Sequence, residues 1–218
     1  MIIAIDGPAG SGKSTAAKNV ARKLKFRHID TGAMYRAVTL KALKLGIDLS
    51  QENEVARVAE ELNIQFDPGP QGQRVLVDGE NVTDLLKSET IGKGAATVAA
   101  HGKVRDILVA KQRMMGKDGN IVMEGRDIGT VVFPHAEKKF FLDASPEERG
   151  KRRYLELKGK QQNVDLDTII EQIRQRDHED RNRTISPLKP AADAICLDTT
   201  KLSLEEVINH IMRQVESN

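Results

Sequence analysis

The stretch GPAGSGKST at residues 7–15 follows, after a single aspartate, the apolar residues IIAI at positions 2–5. A glycine, four further residues and then Gly-Lys-Ser, placed between a strand and a helix, form the pattern of a phosphate-binding loop. Glycines reach backbone angles that are closed to other residues, so successive N–H groups can point inward at phosphate oxygens. The sequence therefore predicts an α/β fold whose first loop binds a nucleoside triphosphate.

Two side chains of this loop extend the prediction to a cation. Lys13 places a positive charge beside the phosphates, and Ser14 supplies a hydroxyl group of the kind that binds Mg²⁺. The helix that we expect to begin at Lys13 directs the positive end of its dipole at the same anion. We therefore expect a triphosphate with bound Mg²⁺ at this loop.

Composition restricts what else the chain can do. Its 218 residues suffice for one α/β domain with insertions, and its net charge of +2 and 3% aromatic content do not fit a basic nucleic-acid-binding surface with stacking rings. No apolar run approaches the roughly 20 residues that span a membrane. We expect a soluble cytoplasmic protein that binds neither nucleic acid nor membrane. The single cysteine, Cys196, lies in an apolar run, which predicts a buried packing role.

Hydrophobic periodicity predicts strands that alternate with helices, an order typical of a parallel sheet flanked by helices. The predicted strands are residues 2–5, 26–30, 120–123, 139–142 and 194–197, and the predicted helices are residues 13–24, 34–45, 55–62, 146–157, 166–181 and 204–215, with a long, mostly helical stretch at 88–115. Two short strands, 63–66 and 74–77, enclose a turn at 67–73 that is rich in glycine and proline. They predict a small β-rich insert.

Polar residues follow several predicted strands at their carboxyl ends, where ligands of parallel sheets bind. They are the loop at residues 7–15, Asp30 and Thr31, the segment 124–127, and Asp143. Arg36, five residues after Thr31, can hold a phosphate through two parallel hydrogen bonds. The alternative is that Thr31 caps a helix and Arg36 forms a surface ion pair.

Three further charged segments point to phosphate chemistry, each with a simpler alternative. Glycines flank a charged pair in GRDIGT at residues 125–130, which could also be an ordinary turn with an internal salt bridge. Residues 149–153 and 174–183 are dense in arginine. Arginines on a closing flap stabilise the charge of a transferred phosphoryl group and exclude water. Solvated helix faces are the alternative, and we prefer it for Lys151 and Lys158.

Together these segments resemble the bacterial cytidylate kinases, a family of nucleoside monophosphate kinases. The resemblance rests on GPAGSGKST, DTGAMYR at 30–36, EGRDIGTVVFP at 124–134, FLDASPEERGKRR at 141–153 and RDHEDRNR at 176–183, in the family's order along nearly the whole chain. It implies a P-loop three-layer fold in one domain: a core at about 1–60, 104–146 and 163–218, a β-rich insert that binds the monophosphate at about 61–103, and a helical lid at about 147–162.

The resemblance also implies an activity, the transfer of a phosphate from ATP, with Mg²⁺, to CMP or dCMP. It assigns ATP to Gly7, Pro8, Ala9, Gly10, Ser11, Gly12, Lys13, Ser14 and Thr15. It assigns the acceptor nucleotide to Thr31, Arg36, Arg105, Arg126, Asp127, Arg176 and Asp180. Lys13, Arg126, Arg176 and Arg183 are the catalytic residues that it implies, and Arg149 and Arg153 belong to the lid. Arg105 and Asp127 match the pair that recognises cytosine.

The sequence departs from an expected pattern in two places. Ala96 and Thr97 stand where the family often has a serine near the sugar, and the strand at 121–123 leads to Glu124 where other P-loop proteins have an aspartate. We therefore expect Mg²⁺ to be held directly by Ser14, with Glu124 in its outer shell.

Other activities remain open at this stage. The loop alone also fits a shikimate, gluconate or adenylate kinase, or a nucleotide-dependent switch, although the Asn-Lys-x-Asp segment of GTPases is absent from the sequence. We expect a monomer.

Overall fold

The computed structural model describes residues 1–67, 73–159 and 164–217. The chain falls into two compact units, one comprising Met1–Arg27 and Gly119–Asn218 and the other His28–Asp118. Strands and helices alternate along the first unit: β1 Ile2–Asp6, α1 Lys13–Leu24, β2 beginning at Arg27, β6 Ile121–Gly125, β7 Lys138–Asp143, α6 Pro146–Gly159, α7 Leu166–Asn182, β8 Ile195–Asp198 and α8 Leu204–Glu216. Among the described residues, no helix is both long and apolar enough to cross a membrane.

The main sheet has five strands in the order β2-β6-β1-β7-β8, with β2 formed by Arg27–Asp30. Its pairings of β1 with β6, β1 with β7 and β7 with β8 are parallel. The central strand β1 buries Ile3 and Ile5 against α1 and α8, which forms the core of the first unit. All carboxyl ends of these parallel strands therefore open at one edge, and β1 delivers residues 7–15 to it.

Helix α1 has the bounds that the sequence predicts. Its N-terminal cap is Gly12, with φ at +87°, and its C-terminal cap is Lys25 in the left-handed region. Ala16, Ala17 and Val20 are buried on one face, as their helical spacing indicates. The helix thus begins at the lysine of the loop and presents its first N–H groups there.

The second unit contains helices and a small antiparallel sheet. Its elements are α2 Thr31–Lys44, α3 Glu52–Glu61, β3 Ile64–Asp67, β4 Arg74–Val77, β5 Glu80–Asn81, α4 Glu89–Ala100 and α5 Gly102–Gly116, with a 3₁₀ turn at Leu85–Lys87. Strand β4 pairs with β3 and β5 in antiparallel fashion. The predicted β-rich insert is therefore confirmed, with β5 as a third strand that we did not predict. Residues 68–72 of the predicted turn lie outside the described residues.

Several boundaries differ from the prediction, among them the start of α3, which begins at Glu52 and not at 55. Three of the differences have a contact as their cause that periodicity does not report. Helix α2 begins at Thr31 and not at 34, because the carboxylate of Asp30 accepts the N–H of Ala33 and caps it. Strand β6 continues through Glu124 and Gly125, which pair with β1. The stretch 88–115 is two helices, which meet at the extended residue His101.

The expectation that Cys196 is buried is wrong. Its side chain is exposed, because β8 is an edge strand. Ile195 and Leu197 pack against the core of the first unit, so the intervening residue points to the opposite face of the strand.

Helix α6 accounts for most of the predicted lid, and it packs against α7. At Gly150 the two helices approach so closely that a Cβ atom would lie 2.4 Å from Cγ1 of Ile170. Residues 160–162 of the predicted lid lie outside the described residues. The division of the chain into core, insert and lid stays a prediction.

Candidate active site

The loop at residues 7–15 is closely fitted to its surroundings. Gly7 has φ at +152°, and a Cβ atom there would lie 2.1 Å from the carbonyl oxygen of Leu142 on β7. Such a distance is a steric overlap, so only glycine fits between β1 and β7 at this point. Close approach of two backbones therefore explains the glycine at position 7.

Lys13 and Ser14 open helix α1 side by side but point to different partners. Lys13 is 8% exposed, and its Nζ donates to the carbonyl oxygen of Pro8, 3.1 Å away, so the ammonium group lies over the loop. The Oγ of Ser14 donates to Oε2 of Glu124 at 2.5 Å. A hydroxyl and a carboxylate are oxygen ligands of the kind that Mg²⁺ prefers, so the donor set fits the predicted cation.

The end of β6 leads directly from this pair to a cluster of arginines. Arg126 lies two residues after Glu124, and its Nε donates to Oδ2 of Asp180 on α7 at 2.9 Å. Nη1 of Arg183 lies 3.9 Å from the other oxygen of the same carboxylate. Arg176, one turn before Asp180, is close enough for its charge to act on that carboxylate. The structure therefore brings together four residues that the sequence analysis assigned to substrate binding or catalysis.

The pKa of Asp180 reports the electrostatics of this cluster. Burial by itself would raise the pKa, but the charge and hydrogen bond of Arg126, with the charges of Arg176 and Arg183, hold it below its ordinary value. Three guanidinium groups thus act on one carboxylate. Guanidinium groups are also the side chains that hold phosphates through charge-assisted hydrogen bonds.

A buried carboxylate that the sequence analysis did not single out lies beside this cluster. Asp6, the last residue of β1, is 5% exposed and accepts the N–H groups of Ile128 and Gly129, both at 2.8 Å. These two residues open a π-helical segment, Ile128–Val132, directly after Arg126 and Asp127. The only available signal was a charged residue at the end of an apolar strand.

Arg149 is buried and joins three parts of the first unit. Its guanidinium group forms a two-pronged ion pair with Asp177 on α7 and donates to the carbonyl oxygen of Ala9 in the loop at 3.1 Å, while its Nε donates to the carbonyl oxygen of Ala144 at 2.8 Å. Arg153, in contrast, is 40% exposed and pairs with Glu156 on the same helix. The two arginines predicted for the lid thus have different environments.

Arg152 also reaches the loop, and the sequence analysis missed it. Its Nη2 donates to the carbonyl oxygen of Thr199 at 2.6 Å, and Oγ1 of Thr199 donates to the carbonyl oxygen of Ser11 at 3.0 Å. A Cβ atom at Gly12 would lie 3.8 Å from Nη1 of Arg152. A guanidinium group therefore borders the loop on the side of α6.

Asp127, which follows Arg126 in the first unit, is 6% exposed. The remaining residues predicted for the acceptor, Thr31, Arg36 and Arg105, belong to the second unit. Arg36 is 30% exposed and pairs with Asp30 at 2.7 Å. The alternative of an ion pair at Arg36 thus describes this structure, although the helix cap is Asp30 and not the buried Thr31. Arg105 is 2% exposed and lies 5.6 Å from the centre of the Tyr35 ring, a cation–π contact. Ala96 and Thr97 are exposed on α4.

Comparisons with known proteins agree with the resemblance seen in the sequence. The cytidylate kinase family profile matches residues 3–217. A cytidylate kinase of Pediococcus pentosaceus is 48% identical over 215 residues, covering 99% of this chain and 95% of the relative. The chain belongs to the cytidylate kinase family. A second cytidylate kinase, from Geobacillus kaustophilus, is 47% identical over 98% of this chain and 95% of the relative.

Solved structures support the fold independently of the cytidylate kinase sequences. A shikimate kinase of Bacteroides thetaiotaomicron superposes with a TM-score of 0.50 at 15% identity, covering 99% of this chain and 98% of the other. An uncharacterized protein of Eubacterium ventriosum superposes with a TM-score of 0.56 at 13% identity, covering 100% and 99% of the two chains. At such identities the likeness concerns the fold alone. The predicted α/β fold with a parallel sheet flanked by helices is confirmed.

Proposed function

We propose that this protein transfers the γ-phosphate of ATP to the phosphate of CMP or dCMP in one direct in-line step, giving ADP and CDP or dCDP, without a phosphorylated enzyme. Family membership across 99% of the chain supports the choice of activity and of substrates. The acceptor's phosphate oxygen is already anionic, so the reaction needs no strong general base. Positioning and neutralisation of charge supply the catalysis.

One observation carries this proposal: the end of β6 contacts the loop through Glu124 and joins the arginine cluster through Arg126. Glu124 accepts the hydroxyl of Ser14, and Arg126 pairs with Asp180, around which Arg176 and Arg183 gather. Positive side chains thus lie next to the loop that would hold the donor. A transferred phosphoryl group develops its charge between donor and acceptor, where such guanidinium groups can stabilise it.

On the donor side, Lys13 would exchange the carbonyl of Pro8 for oxygens of the ATP phosphates. Ser14 would bind Mg²⁺ directly and Glu124 would orient its water ligands. The cation, when bound, neutralises charge on two phosphates of ATP. Arg149 keeps the loop attached to α6 and α7, and we assign it a positioning role on the strength of its burial and its bond to Ala9.

On the acceptor side, the family resemblance supports a role for each of the residues that it assigned to the monophosphate. Arg36 and Arg126 would hold the phosphate of CMP, and Thr31 would contact the base. Arg105 and Asp127 would read cytosine: a carboxylate accepts the exocyclic amine of cytosine, whereas uracil presents a carbonyl at that position. Arg176 and Asp180 would contact the sugar and phosphates.

We further propose that residues 147–162 act as a lid, with Arg153 as its exposed arginine, that residues 61–103 close over the monophosphate, and that the protein acts as a monomer in the cytoplasm. The exposed position of Arg153 supports a role in which its guanidinium group changes partner when a nucleotide binds.

The experiment that tests the activity is a steady-state assay with Mg-ATP and a panel of acceptors: CMP, dCMP, UMP, AMP and shikimate. We expect kcat/KM to be highest for CMP and dCMP and to fall for UMP because Asp127 would face a carbonyl. Equal rates with CMP, UMP and AMP, or faster turnover of shikimate, would refute the proposal. An Asp127→Asn variant should narrow the difference between CMP and UMP, and Asp106→Asn, on the surface of α5, is the matched control.

A further inference from the structure

Asp6 is a buried carboxylate that the proposed chemistry does not use. Each of its two oxygens accepts one backbone N–H: Oδ1 that of Ile128 and Oδ2 that of Gly129, both at 2.8 Å. The partners are separated from Asp6 by more than 120 residues in the chain, and they follow the neighbouring strand β6. Asp6 therefore ties the strand that carries the loop to the turn that follows Arg126 and Asp127.

A helical segment leaves the N–H groups of its first turn without partners inside the helix. The N–H groups of Ile128 and Gly129 are two such groups. The segment Ile128–Val132 begins here, and the residue before it, Asp127, does not cap it with its side chain. Asp6 supplies the cap from a different strand. The carboxylate of Asp127 is consequently not the one that holds the start of this segment.

The surroundings leave the carboxylate little freedom. A Cβ atom at Gly129 would lie 3.4 Å from Oδ2 of Asp6 and 3.2 Å from Cδ of Lys139 on β7, so the turn lies tightly between these side chains. Burial raises the pKa of Asp6 to about 6, and the charge of Asp127 adds to this rise. The two N–H hydrogen bonds and the charge of Arg126 oppose it. At neutral pH the group is therefore ionised and accepts both bonds.

We propose that Asp6 is a positioning residue for the acceptor: by capping residues 128–132 from β1, it fixes the direction in which Arg126 and Asp127 leave β6. The inference rests on the proposed function, in which those two residues hold the phosphate and the base of CMP. It adds a residue that touches neither nucleotide yet determines how well cytosine is distinguished from uracil.

The variant Asp6→Asn tests the inference, because an amide has the shape of the carboxylate but only one acceptor oxygen. One N–H of the turn then faces an NH₂ group, and the turn loosens. We expect KM for CMP to rise by about 10- to 100-fold and the ratio of kcat/KM for CMP over UMP to fall by about tenfold, with KM for ATP changed less than about twofold.

Glu137→Gln is the matched control. Oε2 of Glu137 also accepts a backbone N–H of β1, that of Ile2 at 2.7 Å, but at the opposite end of the strand. The control should leave both KM values and the base preference unchanged. If Asp6→Asn leaves KM for CMP and the preference unchanged, or weakens ATP and CMP equally, the inference is wrong. A wild-type protein that does not phosphorylate CMP would instead refute the proposed function.

A second measurement on the wild-type protein decides the question if the variant does not fold. CMP and UMP share the phosphate that titrates near pH 6, so the ratio of their binding constants cancels its effect. Between pH 7.5 and 5.5, we expect the preference for CMP to decline as Asp6 gains a proton, while the protection factors of the Ile128 and Gly129 amides, which are corrected for the intrinsic pH dependence of exchange, decrease. An unchanged preference and unchanged protection factors across this interval would overturn the inference.

Discussion

Lys13 is the residue whose loss should show most directly in the rate. Its Nζ lies over the loop on the carbonyl of Pro8, 3.1 Å away, where the phosphates of ATP would replace that carbonyl. We expect Lys13→Ala to lower kcat by roughly 10²- to 10⁴-fold, because the charge acts on the donor phosphates in the transition state. Single-turnover kinetics with Mg-ATP and CMP would measure this loss.

Lys18→Ala is the control for this substitution, since Lys18 lies on the same helix but is exposed. It should leave kcat within about twofold of the wild-type value. An unchanged kcat in Lys13→Ala would contradict the role given to this loop.

At the residue scale, the sequence predicted the groups that local patterns mark and missed those that distant contacts create. Lys13 and Ser14 stand at fixed positions in a recognisable motif. The role of Asp6 depends on N–H groups 122 residues away, and Thr199 donates to Ser11 across 188 residues. Neither separation leaves a trace in periodicity or spacing, so the structure was needed to find them.

At the scale of elements, Arg149 holds α6, α7 and the loop together. It is 1% exposed and pairs with Asp177, so removing it leaves a buried carboxylate without its cation. We expect Arg149→Met to lower the free energy of unfolding by about 3–5 kcal/mol. Denaturant titration would measure the change.

The exposed pair on the same helix provides the comparison. Arg153 is 40% exposed and pairs with Glu156. We therefore expect Arg153→Met to lower the free energy of unfolding by less than about 1 kcal/mol. Similar losses in the two variants would show that the buried pair does not stabilise this junction.

Element boundaries were predictable where a local signal ends the element. Helix α1 begins after Gly12 and ends before Lys25, as expected. Strand β6 was cut short because Glu124 is charged, although it pairs with Ile5 inside the sheet. The break at His101 was missed because the segments on both sides of it have helical patterns. The ring of His101 contacts the carbonyl oxygen of Leu49, 2.7 Å from its Nε2, and spacing along the chain does not report this contact.

At the scale of the whole molecule, Asp6 links stability to pH. Its pKa is about 6 in the folded protein and 3.8 without burial, so between these values the folded protein keeps a proton that the unfolded chain has released. Stability attributable to this group is therefore present below about pH 4 and is lost as pH rises to about 6. We expect the melting temperature of the wild type minus that of Asp6→Asn to fall between pH 4 and pH 7.

Asp180 acts in the opposite sense, because its pKa is lowered and its contribution is lost as pH falls. The wild type and Asp6→Asn both contain Asp180, so its effect cancels in the difference between their melting temperatures. A difference that does not change with pH would mean that Asp6 titrates at its ordinary value. Ionisation of Asp6, which the positioning of the turn requires, therefore lowers the stability of the folded protein.

The alternation of strands and helices was enough to predict the parallel sheet and its flanking helices, since each parallel connection needs a crossover element. Two short strands around a turn rich in glycine and proline predicted the small β-rich insert. The apolar run around Cys196 did not show that this residue lies on the exposed side of an edge strand, because such a run does not indicate whether its strand lies at the edge of a sheet.

That exposed thiol is the only one in the sequence. A maleimide fluorophore would therefore attach at a single position without any engineered cysteine. The labelled residue lies three positions before Thr199, whose hydroxyl contacts the loop at Ser11. We expect dye emission at this strand to change when a nucleotide binds at the loop, with every side chain of the proposed site left as it is. Unchanged emission at saturating Mg-ATP would show that the contact through Thr199 does not report occupancy.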